Sequence, residues 1–168
     1  MLLTVVQVGV GLGKPGRPYV VSISLKGYFS DKTVFEDHGD ERLKLVLGDP
    51  AVPYGLWKSI EHMRKGEKAL IMVKPKHGYG KEEEADRLKF PPGWDTPEQR
   101  ALIARRRLYY EVTLHEWFVR HDLDGDGLLI KNILEKGEGY DRPDEIDEVT
   151  FDLKVYQTSP GTRDERVF

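Results

Sequence analysis

The chain has 168 residues, with 26 Lys and Arg against 29 Asp and Glu, a formal net charge of -3 and 39% hydrophobic residues. This balance fits a soluble globular chain of one domain, or one domain and part of another, and supplies no global field to draw it onto nucleic acid or an anionic membrane. No cysteine occurs, which excludes disulfides, thiolate zinc sites and cysteine nucleophiles together.

No apolar run reaches the roughly 20 residues of a membrane span, and the stretch from Met1 to Leu12 lacks the basic start and cleavage-type end of a targeting segment. A cytoplasmic protein is therefore expected. The first feature in chain order is an internal echo. Leu3 to Gly13 and Leu129 to Gly139 are both apolar stretches ending in Gly-x-Gly, each followed by a Pro-bearing turn. Beyond the turns, Val21, Ile23 and Leu25 in the first copy and Val149, Phe151 and Leu153 in the second alternate with polar neighbours, the period of a half-buried strand. One unit starts twice, and its second copy stops at Phe168 before a core could close.

Between the echoes, Leu43 to Leu47 reads as a strand ended by Gly48-Asp49-Pro50. Leu56, Ile60 and Met63 then share one helical face, with Gly66 placed for a C-terminal cap. Ala69 to Val73 and Leu108 to Leu114 are further strands, the latter turning Leu108, Tyr110, Val112 and Leu114 to one side. Before that last strand, Thr96-Pro97-Glu98-Gln99 carries a cap, a proline at the first helical position and a capping box. Arg105, Arg106 and Arg107 stand where cations complement the helix dipole. An inserted helix over Pro97 to Arg107 is expected either to rest on its own domain through Leu102 and Ile103 while turning Arg100 and the arginine run toward a carboxylate-rich partner, or to be a solvated charged excursion. The predicted class is α+β with a mainly antiparallel sheet.

Motifs for other chemistries fail on their context. Gly11-Leu12-Gly13-Lys14-Pro15-Gly16 matches Gly-x-Gly-x-x-Gly, but a dinucleotide site needs a helix to begin there, and Pro15 and Pro18 precede a strand instead. Asp122 to Gly127 copies the opening of a calcium loop, yet position twelve is Ile133 rather than a bidentate Glu, so an acidic linker is expected. His38, His62, His77, His115 and His121 show no metal spacing, and no Gly-x-Ser-x-Gly elbow supports a serine hydrolase. Phe35, Val52, Leu56, Tyr79, Phe90 and Tyr110 taken alone read most simply as core. No cofactor, metal or covalent nucleophile is expected.

Read together, Val20 to Phe35, Leu45-Val46-Leu47-Gly48, Val52-Pro53-Tyr54-Gly55-Leu56, Met63-Arg64-Lys65-Gly66-Glu67, Lys74 to Gly80, Phe90-Pro91-Pro92 and Tyr110 to Leu114 resemble the FKBP-type peptidyl-prolyl isomerases in order and spacing. Pro53-Tyr54-Gly55 and Arg64 to Glu67 are most similar to the second immunophilin domain of large tandem FKBP co-chaperones. The resemblance covers residues 1 to 118; residues 119 to 127 are expected to be the acidic linker, and residues 128 to 168 to open a second FKBP-like domain. It implies an antiparallel sheet of five or six strands wrapped around one short helix, with an apolar cleft that accepts a proline ring.

It also implies a substrate-binding set of Leu25, Phe35, Glu36, Leu43, Val52, Pro53, Leu56, Tyr79, Phe90 and Tyr110. Phe35, Val52, Tyr79, Phe90 and Tyr110 keep the family's apolar or aromatic character. Leu25 stands where a Tyr is usual, Glu36 where an Asp is usual, Leu43 where a Phe is usual, and Leu56 where a Trp forms the floor. Trp57 is one residue late, about 100° round the helix axis. Pro53 replaces a residue whose N–H binds a ligand carbonyl, and proline has none. The implied partners are proline-containing protein clients and a chaperone complex reached through regions beyond this chain. Two functions follow: an isomerase of low activity, or a non-catalytic FKBP-like interaction module of a multidomain co-chaperone.

Overall fold

The structure is a computed structural model that describes residues 2–81 and 87–154. The chain divides into two compact units, Met1–Arg120 and His121–Phe168. In the first unit, β1 (Leu2–Gln7), β2 (Val20–Tyr28), β3 (Val34–Asp37), β4 (Leu43–Val46), β5 (Lys68–Val73) and β6 (Leu108–Asp122) surround the helix α1 (Tyr54–Ile60), and α2 (Pro97–Arg105) precedes β6. The sheet runs β1-β5-β6-β2-β3 with β4 also paired to β2, and every ladder with a defined register is antiparallel. These six strands match the number the resemblance implies, and β7 (Ile130–Ile133) lies in the second unit.

Alternation builds the core. Val21, Ile23, Leu25 and Phe29 from the β2 segment, Ala69, Ile71 and Val73 from β5, and Leu108, Tyr110, Val112 and Leu114 from β6 all point inward and are buried, as period-2 patterning requires. In register, Gly27 lies opposite Tyr110 and Leu25 opposite Val112, while Ile71 and Ala69 flank the same two residues from β5. The strand expected to end at Leu114 continues to Asp122.

α1 closes the core against β5. Gly55 lies so near that a Cβ there would stand 2.6 Å from Val73 Cγ1, and Leu56, Ser59 and Ile60 are buried beside it. The helix is shorter than its sequence pattern: it ends at Ile60, with Glu61 as its cap residue. Met63 is still fully buried, but it stands in the turn that follows. Gly66 is not a helix cap; its φ of 76° serves a turn in which its N–H donates to Leu114 O at 2.7 Å.

The inserted helix has the predicted start. Gln99 N–H donates to Thr96 Oγ1 at 3.3 Å and Thr96 N–H to Gln99 Oε1 at 3.1 Å, a complete capping box. Its docking departs from expectation. Ile103 is 0% exposed and belongs to the core, whereas Leu102 is 49% exposed. Of the arginines expected to face a partner, Arg100 lies over the Phe90 ring and Arg106 over the Phe29 ring, and Arg106 pairs with Asp31. The helix is bound into its own domain.

In the second unit, the Asp122 carboxylate accepts hydrogen bonds from Gly125 N and Gly127 N, both at 2.9 Å, so its oxygens shape a turn. Among the described residues no group of three His, Cys, Asp or Glu is placed to hold a metal. The strand expected at Val149, Phe151 and Leu153 is absent there; those side chains are exposed on irregular backbone. No described helix is long and apolar enough to cross a membrane.

Candidate functional site

An aromatic cluster forms where β2, β3 and β6 meet the segments leading to and from α2. Gly27 makes room for it, since a Cβ there would lie 2.6 Å from Phe35 Cζ. The Phe35 ring therefore crosses β2 and meets Tyr110 edge-on at a centroid distance of 5.5 Å. Phe29 tilts against Phe35 at 4.9 Å. Trp94, just before α2, packs edge-on against Phe29 at 5.4 Å and Phe35 at 6.4 Å. Tyr79 and Phe90 stack at 4.8 Å, and the Arg100 guanidinium sits 4.9 Å from the Phe90 centroid, within the range of a cation–π contact.

Polar groups in the cluster are few and crowded. Glu36 pairs with His38 Nε2 at 3.0 Å; burial pushes its carboxyl above the usual range, with the His38 hydrogen bond opposing. The Tyr79 hydroxyl donates to Lys89 O at 3.3 Å. Burial, with the Glu36 charge adding to it, raises Tyr79 far above an ordinary phenol, and Tyr110 is raised for the same first cause. The two hydroxyls lie near enough for each to shift the other's ionisation. That mutual shift includes a side-chain hydrogen-bond interaction outside ordinary hydrogen-bond geometry, and the buried Tyr110 oxygen has no better-placed partner among the described residues.

The ten residues singled out in the sequence are not equally placed. Phe35, Tyr79, Phe90 and Tyr110 form the ring contacts, and the Glu36 charge acts on both tyrosine hydroxyls. Leu25 and Leu56 lie in the same buried core, while Leu43 and Val52 stand at its margin. Pro53 is the N-cap residue of α1, and its carbonyl accepts from Leu56 N at 3.0 Å. Trp57 turns away from Leu56 toward Tyr54, with Arg17 at 5.2 Å over its ring.

Sequence reading missed Phe29, Trp94 and the inward roles of Arg100 and Arg106. Phe29 was within reach, because it continues the Val21, Ile23, Leu25 alternation. Trp94 lies in a loop where no periodicity marks it.

An antiparallel sheet closed by a short helix, with an aromatic cluster beside it, is the fold that the sequence resemblance implies. The sequence profile of the FKBP-type peptidyl-prolyl cis-trans isomerases matches residues 13–115, and the chain belongs to that family. Human peptidyl-prolyl cis-trans isomerase FKBP4 is 34% identical over 73 residues, covering 43% of this chain and 16% of the human protein. PASTICCINO1 of Arabidopsis thaliana is 27% identical over 131 residues, covering 78% of this chain and 18% of that protein. The chain thus spans about a sixth of the length of these curated relatives. Among solved structures, the three FKBP domains of wheat FKBP73 superpose with a TM-score of 0.63 at 25% identity, over 85% of this chain and 55% of that one. The N-terminal domain of Arabidopsis thaliana FKBP42 gives 0.51 at 25% identity, over 68% and 84%.

Proposed function

We propose that this chain is a peptidyl-prolyl isomerase domain that takes proline-containing segments of other proteins among Phe35, Tyr79, Phe90 and Tyr110, and turns them over slowly. Rotation about a prolyl bond meets a barrier of about 18–20 kcal/mol because the planar amide loses resonance on twisting. A dry apolar wall favours the less polar twisted state by differential binding, with no covalent step.

One observation carries the low activity: Leu25, Phe35, Leu56, Tyr79 and Tyr110 are each 0–4% exposed, so the walls meet one another and Trp94 rather than an open cleft. A second chemical fact points the same way. Pro53 has no N–H, and a missing recognition hydrogen bond of about 1 kcal/mol lowers a rate about fivefold. We place the domain in a multidomain co-chaperone, a reading supported by the alignment of 85% of this chain with a wheat protein of three FKBP domains, and we propose a cytoplasmic location for it.

The test is a protease-free exchange assay on an Xaa-Pro peptide. Wild type is expected to accelerate exchange weakly, and Trp94→Ala to raise kcat/KM several-fold by opening the walls. If no acceleration is seen for either protein, the chain is a non-catalytic interaction module instead.

A further inference from the structure

We propose that β1 is a self-pairing edge, through which two copies of this chain join antiparallel, Thr4 against Thr4, into one continuous sheet. The inference does not involve the aromatic cluster and goes beyond the isomerase reading. β1 stands at the end of its sheet. It pairs with β5 on one side, and no strand among the described residues pairs with the other. Leu2, Val5 and Val6 are 58%, 45% and 63% exposed, and no charged side chain occurs from Leu2 to Gly13.

The opposite side of the sheet shows how an edge is kept from pairing. It is formed by β3 and β4, both paired to β2 and each four residues long. β3 carries Glu36 and Asp37, the latter in an ion pair with Lys26, and Lys44 stands exposed on β4. Short strands and charges are the usual protection of a free edge. β1 has six residues and no charge, so its outer N–H and C=O groups are an unprotected template for another strand.

Symmetry and pattern together assign the occupant. A twofold axis normal to the sheet keeps both faces continuous, so residues meet only where their side chains share a face, and the axis passes through one residue. With the axis on Thr4, Leu3 meets Val5 and Leu2 meets Val6. Apolar side chains then meet apolar ones, and threonine meets threonine, a favourable cross-strand pair. The register shift between Val5 and Gln7 ends the regular strand, so these five residues are the pairing length. A strand paired with itself in this way sets any charge against its like, which is destabilising; β1 meets that demand by having none. The protected far edge leaves nothing to extend the assembly, so it closes at two copies. Five residues span about 17 Å, which puts the contact at the small end of specific interfaces, under about 1,200 Å². A dissociation constant of about 10 μM is expected.

Sedimentation equilibrium of the whole chain tests this, over about 1 to 300 μM so as to bracket that constant. Wild type is expected to pass from monomer to dimer and no further. Amide exchange from Leu2 to Val6 should slow several-fold at the concentrated end, because outward N–H groups become bonded. Thr4→Lys and Thr4→Glu each set two like charges face to face and should raise the dissociation constant at least about tenfold. Mixing the two variants should restore a dimer, now a heterodimer. Val34→Lys, at the far edge, should leave association unchanged, and thermal midpoints check that each variant is folded. A wild type that stays monomeric overturns the proposal, as does a dimer whose Leu2 to Val6 amides exchange as fast as the monomer's. These two readouts need no variant, so a fold lost in a substitution does not shelter the proposal. A dimer that Thr4→Lys leaves intact, a mixture that fails to restore it, or growth beyond two copies overturns it as well.

Discussion

The two helices of the first unit are made in opposite ways. α2 carries a full capping box, a proline at its start, Glu98 in its first turn and Arg105 in its last, so local chemistry specifies it. Only Ile103 among its nine residues is buried. α1 has Pro53 as its N-cap, no side-chain capping hydrogen bond and no acidic residue in its first turn, yet five of its seven residues are buried. A helix of two turns is marginal by itself, so α1 exists because β5 and the core hold it. One helix is written in its ends and the other in its face.

Core truncation has the largest expected effect and marks where that difference ends. Ile60→Ala in α1 removes a fully buried side chain and is expected to lower stability by about 2–5 kcal/mol. Ile103→Ala is expected to fall in the same range of about 2–5 kcal/mol, because Ile103 is as deeply buried as Ile60. Chemical denaturation of both variants checks this. An Ile103→Ala cost under about 0.5 kcal/mol, the level of an ordinary surface substitution, would return α2 to the status of a solvated excursion. Gly80 supplies the reason to expect otherwise: a Cβ there would lie 2.4 Å from Ala104 O, so the backbone of α2 rests directly on the segment that carries Tyr79.

The same contrast explains what could be read from the sequence. The strands bearing Ile23, Ile71 and Tyr110 were legible because alternation is a backbone property that burial only confirms. The start of α2 was legible because Thr96, Pro97 and Gln99 act within one turn. The end of α1 was not, since Met63 is buried whether it sits in a helix or in a turn, and a shared face cannot separate the two. In the candidate site, Phe35, Tyr79, Phe90 and Tyr110 emerged from ordered family motifs. Trp94 and the two inward arginines depend on where a whole helix docks, and no local pattern encodes that. In the second unit, the alternation of Val149, Phe151 and Leu153 had no described neighbouring strand to bury it, and alternation without a partner makes no strand.

Capping gives the next, smaller effect. Thr96→Ala removes one member of the box and is expected to cost about 1 kcal/mol. Amide exchange should quicken across α2 while α1 and β5 keep their protection, because the lost bond is local. Equal loosening of α1 would mean that the two helices are held by one cooperative unit, against the contrast drawn above.

The smallest effect is electrostatic, and its sign is opposite for two acids, Asp31 beside the end of α2 and Glu36 on β3. Arg106, which follows the helix, pairs with Asp31 and lies over the Phe29 ring at 4.1 Å. The Arg106 hydrogen bond, helped by Thr33, holds the Asp31 carboxyl down to about 2 from an ordinary 3.8. A depressed carboxyl contributes stability that is complete above its unfolded value and is lost as pH falls toward its folded one. The Asp31 contribution should therefore fade between about pH 4 and pH 2. Glu36 behaves in the opposite sense: burial raises its folded value, so ionising it costs stability as pH rises above the ordinary carboxylate range. Wild type alone would mix the two. The gap in thermal midpoint between wild type and Asp31→Asn isolates the first, and it should be present near neutrality and close by pH 2. A gap that persists at pH 2 would show that Asp31 acts through the hydrogen bonds of its turn, such as Thr33 N–H at 3.0 Å, which an asparagine does not fully replace. Arg106 would then hold α2 through the Phe29 ring alone.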